Sequence, residues 1–172
     1  TDQEYDFVAL LHADKGKIEF VHLSAKTPAK YREFFRTQGE LYDFAEIRSL
    51  ASTTWIDADD REKYLRNGSI ESIRRELDNN GRYEFTLQEH FEDAPENTMC
   101  RKFQHYYLDE DRDTILIIES DVTETYRQQQ KELERSRAEK SRVQHILDSV
   151  TSGVCVLRMP DRDHLSIEYV NL

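Results

Sequence analysis

The sequence is short of most residues that mark specialised chemistry. Only two cysteines, Cys100 and Cys155, occur in 172 residues, far apart and in different segments. That usage fits a reducing compartment and argues against a disulfide framework. No run of about 18 apolar residues is present to span a bilayer, and the first residues carry no signal-peptide pattern. There is no glycine-rich phosphate loop, no HExxH, no nucleophile elbow and no CxxC. The six histidines, His12, His22, His90, His105, His145 and His164, have no metal-ligand spacing. His90 and His105 could face each other across a hairpin, where edge-strand histidines are usually solvated. The residues require no cofactor, and the chain is not read as an enzyme.

What is present is a core and a large solvated surface. With 37% hydrophobic and 10% aromatic residues the chain can build one good core, and 34% charged residues cover the rest. Recurrent apolar runs argue against disorder throughout. The net charge of −11 disfavours nucleic acid and anionic membranes as partners. The sign is uneven: residues 1–125 carry −12, whereas residues 126–142 carry +3 from six Lys/Arg against three Glu.

The organising stretch runs from Ile115 to Arg142. Ile115, Leu116, Ile117 and Ile118 read as a strand covered on both faces. Asp121 followed by Glu124 reads as a capping box, the Asp accepting from an orphan helix N–H and the Glu reaching back. A long polar helix follows. Residues 5–12 form a second near-continuous apolar run, a turn at Asp14–Lys17 follows, and Ile18–Leu23 is the hairpin partner. Thr27-Pro28 predicts the start of a helix bearing Tyr31, Phe34 and Phe35. Leu41, Tyr42, Phe44, Ala45, Ile47 and Leu50 continue as short helical turns. Asp57 and Asp60 start REKYLRN, Gly68 closes it, and Ser69 caps a helix carrying Ile70, Ile73 and Leu77. After the turn at Asn79-Asn80-Gly81 the period becomes two, with Tyr83, Phe85, Leu87 and Phe91 on one face. Met99–Leu108 is another strand, and Asp109–Asp113 is a charged hairpin tip without glycine. The most apolar strands, first and last, belong together at the centre. The expectation is an α+β fold: a five-stranded antiparallel sheet in the order 2-1-5-4-3, short helices on one face, then a long C-terminal helix.

This pattern resembles a PAS domain, a sensory module of signalling proteins. The DVTE of Asp121–Glu124 is similar to that family's closing DIT-type motif, with Val122 for isoleucine. WIDADDREKYL at Trp55–Leu65 is similar to its hPdD helix start, with Ala58 for proline. The resemblance covers residues 5–125 and implies a sensor domain at 1–121, a signalling helix at 122–150 and the truncated start of a second such domain at 151–172. It also implies a cytoplasmic bacterial relay protein with a small-molecule ligand. The downstream output domain would lie in cis: a GGDEF-type diguanylate cyclase with or without EAL, or a histidine kinase. Asp121, Thr123 and Glu124 would relay the signal, and Phe34, Phe35, Tyr42 and Phe44 would line a pocket. MCRKFQ at Met99–Gln104 is superficially similar to a flavin-binding light-sensor motif, but it lies on a late strand and its order departs after Arg101. Cys100 is therefore read as a packed strand cysteine.

The helix allows a heptad register. Tyr126, Leu133, Lys140 and Leu147 form one row; Val122, Gln129, Ser136, Val143 and Val150 form the other. Its polar middle suits either a solvated single linker helix or a parallel homodimeric coil weak enough to be biased by a ligand. The alternative is a ligand-free dimerisation scaffold. The tail, a lone hairpin, is expected to be mobile or to pair with an exposed edge or another copy of the chain.

Overall fold

Period-two alternation decides which strand face turns inward. The computed structural model describes residues 5–25, 27, 32, 39–90, 98–149, 154–158 and 166–171. In chain order they build β1 (Phe7–His12), β2 (Lys17–Leu23), β3 (Leu41–Asp43), α1 (Phe44–Thr54), α2 (Arg61–Asn67) and α3 (Ile70–Asn80). These are followed by β4 (Tyr83–Glu89), β5 (Met99–Tyr107), β6 (Thr114–Asp121), α4 (Thr123–Ser149), β7 (Val154–Arg158) and β8 (Ser166–Asn171). The chain divides into two compact units, Thr1–Thr123 and Glu124–Leu172.

The first unit is α+β. Its strands form one antiparallel sheet of six, ordered β3-β2-β1-β6-β5-β4. This corrects the expected five-stranded 2-1-5-4-3 sheet. Leu41–Asp43, read as helical turns, is a sixth strand on the β2 edge, pairing Ile18 with Tyr42 and Glu19 with Leu41. Three residues are too few for a period of two to declare itself before the helix begins.

β1 and β6 lie side by side inside the sheet, Leu10 opposite Leu116. Phe7, Ala9, Leu11, Ile115 and Ile117 point into the core. The expectation that these strands are covered on both faces is not met: Val8, Leu10, Leu116 and Ile118 are only half-buried. A run of β-branched residues also reflects strand propensity, which needs no second covered face. The inner face packs against Phe44 and Ala51 of α1, Trp55, Ile56, and Ile73 and Leu77 of α3.

The helix signals act locally. Asp43 caps α1 by accepting from the Glu46 N–H at 3.1 Å, and Ser69 caps α3 by accepting from the Ser72 N–H at 3.1 Å. Gly81 ends α3 with φ 72°, and its N–H donates to the Leu77 carbonyl. Asp60 precedes α2, but its carboxylate accepts from the Gln88 N–H of β4 at 2.7 Å, tying the helix start to the sheet. The glycine-free tip is built on Arg112, the one described non-glycine residue with positive φ (60°). The helix predicted after Pro28, with Phe34 and Phe35, lies outside the described residues, as does Phe91.

In the second unit, α4 has no buried residue, and Leu133, Val143 and Ile146 are exposed. β7 and β8 form a separate two-stranded sheet. Among the described residues no helix is long and apolar enough to cross a membrane.

Candidate functional site

Three strands place an ionisable side chain on their apolar phase. Glu89 stands two residues beyond Leu87 on β4, Arg101 two before Phe103 on β5, and Glu119 two beyond Ile117 on β6. All three are almost completely buried, at 0%, 1% and 2% exposure, and Asp6, just before β1, joins them. Arg101 is the centre of the group. Its Nη1 donates to the Asp6 carboxylate, and its Nε lies 3.4 Å from Glu89 and 3.5 Å from Glu119. The backbone reinforces the assembly: the Asp6 N–H donates to the Glu119 carbonyl, and the Thr27 hydroxyl donates to the Asp6 carbonyl.

Beside this cluster is a cavity of ≈ 50 Å³ between the sheet and the helices. Aromatic rings from Phe7, Phe20, Phe44, Trp55, Tyr64 and Phe103 form much of its wall, and Glu89, Glu119 and His105 are polar groups on it. His105 stacks on Phe85 with centroids 5.5 Å apart, and its Nδ1 is 3.3 Å from the Tyr83 carbonyl.

Burial governs the electrostatics. It raises the Glu119 carboxyl well above the usual range, and the neighbouring Glu89 raises it further against the pull of Arg101. Burial raises the Tyr64 phenol, with Glu89 and Glu119 adding to it. Burial lowers His105 to about 4, leaving its imidazole neutral at pH 7. For Arg101 burial alone would lower the pKa, but Glu119, Glu89 and Asp6 outweigh it and hold the guanidinium above its ordinary value. The site therefore sets a fixed cation beside a carboxyl that burial pushes toward its protonated form and an imidazole that is neutral at neutral pH.

The same strand that carries Arg101 also holds the start of α4. The Cys100 N–H donates to the Thr123 hydroxyl at 2.8 Å, and the Val122 N–H donates to the Cys100 carbonyl at 2.8 Å. The Thr123 hydroxyl in turn donates to Asp121, which also accepts from the Thr123 N–H at 2.9 Å. Asp121 and Thr123 are thus brought together. The Glu124 half of the expected capping box is corrected: its carboxylate accepts from the Gln128 side chain one turn ahead, at 3.2 Å. Asp121 makes a local Asx-type turn, a conformation open to any Asp two residues before a free N–H.

Among the residues expected to line a pocket, Phe44 lies on the cavity wall. Tyr42 is half-buried against Phe20 with centroids 6.1 Å apart, its hydroxyl donating to Glu40, outside the cavity lining. His90 and His105 do not face each other: His105 pairs with Tyr83 and is core, while the His90 N–H donates to the Trp55 carbonyl. Cys100 is a buried free thiol whose pKa is pushed up by burial. Among the described residues no group of three or more His, Cys, Asp or Glu is arranged to hold a metal. The charged cluster escaped the sequence reading, although its signal was there, as charges at inward positions of alternating strands. No protein-family model and no curated protein matches this sequence.

Proposed function

We propose that the first unit is a PAS-like sensory module that takes a small ligand into the aromatic cavity and passes its occupancy to α4. One observation carries the reading: β5 holds both ends of the connection. Arg101 sits in the buried cluster, and its neighbour Cys100 bonds Val122 and Thr123 at the helix start. A ligand that alters the balance among Glu119, Glu89 and Arg101 shifts β5 against β6, and the bonds at Cys100 shift the first turn of α4. Coupling of this kind is worth about 1–3 kcal/mol in general. The exposed Leu133 and Val143 support a homodimer through α4, in the heptad register of the sequence. The resemblance of the DVTE and WIDADDREKYL segments supports a cytoplasmic protein with an output domain in cis, of the GGDEF-type diguanylate cyclase or histidine kinase kind.

The test is a cycle of two substitutions read at the helix. A spin label at Ser141 reports the spacing between copies by electron–electron resonance. Glu119→Gln is expected to change that spacing in the wild-type background and not beside Thr123→Val, which deletes the bridging hydroxyl. An identical change in both backgrounds would sink the relay. A dimer whose spacing ignores Glu119→Gln altogether would favour the second reading, a ligand-free dimerisation scaffold, to which the exposed apolar residues of α4 also lend support.

A further inference from the structure

We propose that the cavity takes a compact nitrogen base, a single-ring heterocycle or small arylalkylamine, with its nitrogen on the Glu119 carboxyl and its ring among the aromatic walls. The inference rests on the cavity being the sensing site, and it names the class of ligand sensed.

The two oxygens of Glu119 are not equivalent. Oε1 lies 3.5 Å from Arg101 Nε, whereas Oε2 is buried and has no hydrogen-bond partner among the described residues. The carboxyl is on the cavity wall and 2% exposed. A buried polar atom left without a partner is costly, and a ligand atom that supplies one is correspondingly favoured.

A nitrogen base satisfies Oε2 in either protonation state. With the proton on the carboxyl, O–H donates to the nitrogen lone pair; with the proton on the ligand, N–H⁺ donates to the carboxylate. The same proton is shared, and no other atom needs to move. Burial favours the protonated form of the acid, the form that donates to an arriving base. Glu89 on the same wall and Asp6 behind Arg101 disfavour any anionic ligand. The aromatic faces accept a flat ring, and they accept a cation over the ring face. His105, held neutral by burial, adds no competing positive charge. The cavity of ≈ 50 Å³ is smaller than the roughly 150 Å³ that holds a benzene ring, so even a single ring enters only as the walls give way, and anything larger is excluded.

The experiment titrates the full chain with benzylamine and 4-methylpyridine, with the isosteres benzyl alcohol and toluene, and with benzoate, followed by calorimetry and by NMR shifts of the Phe103 and Glu119 amides. The bases are expected to bind at least about tenfold more tightly than either isostere, and benzoate not to bind. In Glu119→Gln, shown folded by circular dichroism, the preference should vanish while the weak binding of toluene persists. If that variant does not fold, Glu119→Asp, which draws the acid back by one methylene, should weaken the bases and leave toluene unchanged. Equal binding of base and isostere, a preference that survives Glu119→Gln, or no binding of any probe would overturn the proposal. Base binding with no change in α4 spacing would leave it standing and sink the relay instead.

Discussion

Two arginines, Arg101 and Arg112, each stand among acidic partners, yet they belong to different physical regimes. Arg112 lies at the tip between β5 and β6, where it meets Asp78 at 3.0 Å and stacks over Tyr107, while Arg74 meets Asp113 at 3.2 Å nearby. Those groups are exposed, water already solvates them, and each pair is worth about 0–1 kcal/mol. Arg101 has been taken out of water together with Asp6, Glu89 and Glu119. There each charge depends on its neighbours, and removing one partner strands the others. The comparison separates exposed charge, which water already solvates, from buried charge whose members depend on one another.

The largest effect expected from breaking this contrast is at Arg101. Arg101→Met leaves three acids in the core without their guanidinium and should cost about 3–5 kcal/mol in urea denaturation. A loss below about 1 kcal/mol would place the buried cluster on the same footing as the surface tip.

Acid sharpens the contrast next. His105 titrates at about 4 in the folded chain against 6.5 ordinarily, so the unfolded chain binds the extra proton between those values. Stability is therefore full above pH 6.5 and is lost as pH falls toward 4, by about 3 kcal/mol at most. His105→Phe, which keeps a ring against Phe85, should flatten that part of the profile. Glu119 has the opposite sign. Its folded pKa is raised, so its contribution is present below the unfolded carboxylate value and is lost as pH rises through the folded one. Glu119→Gln should remove that slope, and an unchanged profile would place Glu119 among the solvated acids.

Smaller again is the helix start. Thr123→Val deletes a hydroxyl that accepts from Cys100 and donates to Asp121, and should cost about 1 kcal/mol in thermal unfolding. The smallest effect is at the tip. Arg112→Gly loses exposed contacts but relieves a positive φ, and stability should stay within about 0.5 kcal/mol of wild type.

The two regions also differ in how readable they were. Ser69-Ile70 and Asn80-Gly81 carry cap and turn chemistry within three residues, and the chain obeys it. The pairing of β1 with β6 follows from where the apolar residues are concentrated. β3 was hidden because three residues carry no period, and the half-buried outer face of Leu116 and Ile118 was hidden because propensity imitates burial. The site was hidden for another reason. Glu89, Arg101 and Glu119 were not singled out, because residue type alone does not mark a buried charge, whereas their phase along β4, β5 and β6 places them inside. Asp121 and Thr123 could be read locally, but their tie to Cys100 spans 23 residues and depends on the β5–β6 register.

The central claim is that the state of Glu119 reaches the start of α4 through Arg101 and Cys100. Its most direct test is residue-resolved amide exchange of Cys100 and Val122, whose N–H groups make the two 2.8 Å bonds at that junction. In Glu119→Gln both amides should exchange about tenfold faster relative to the amides of β1, while those at the Asp78–Arg112 tip do not change. Unaltered exchange at Cys100 and Val122, with any change confined to the cavity wall, would contradict the account.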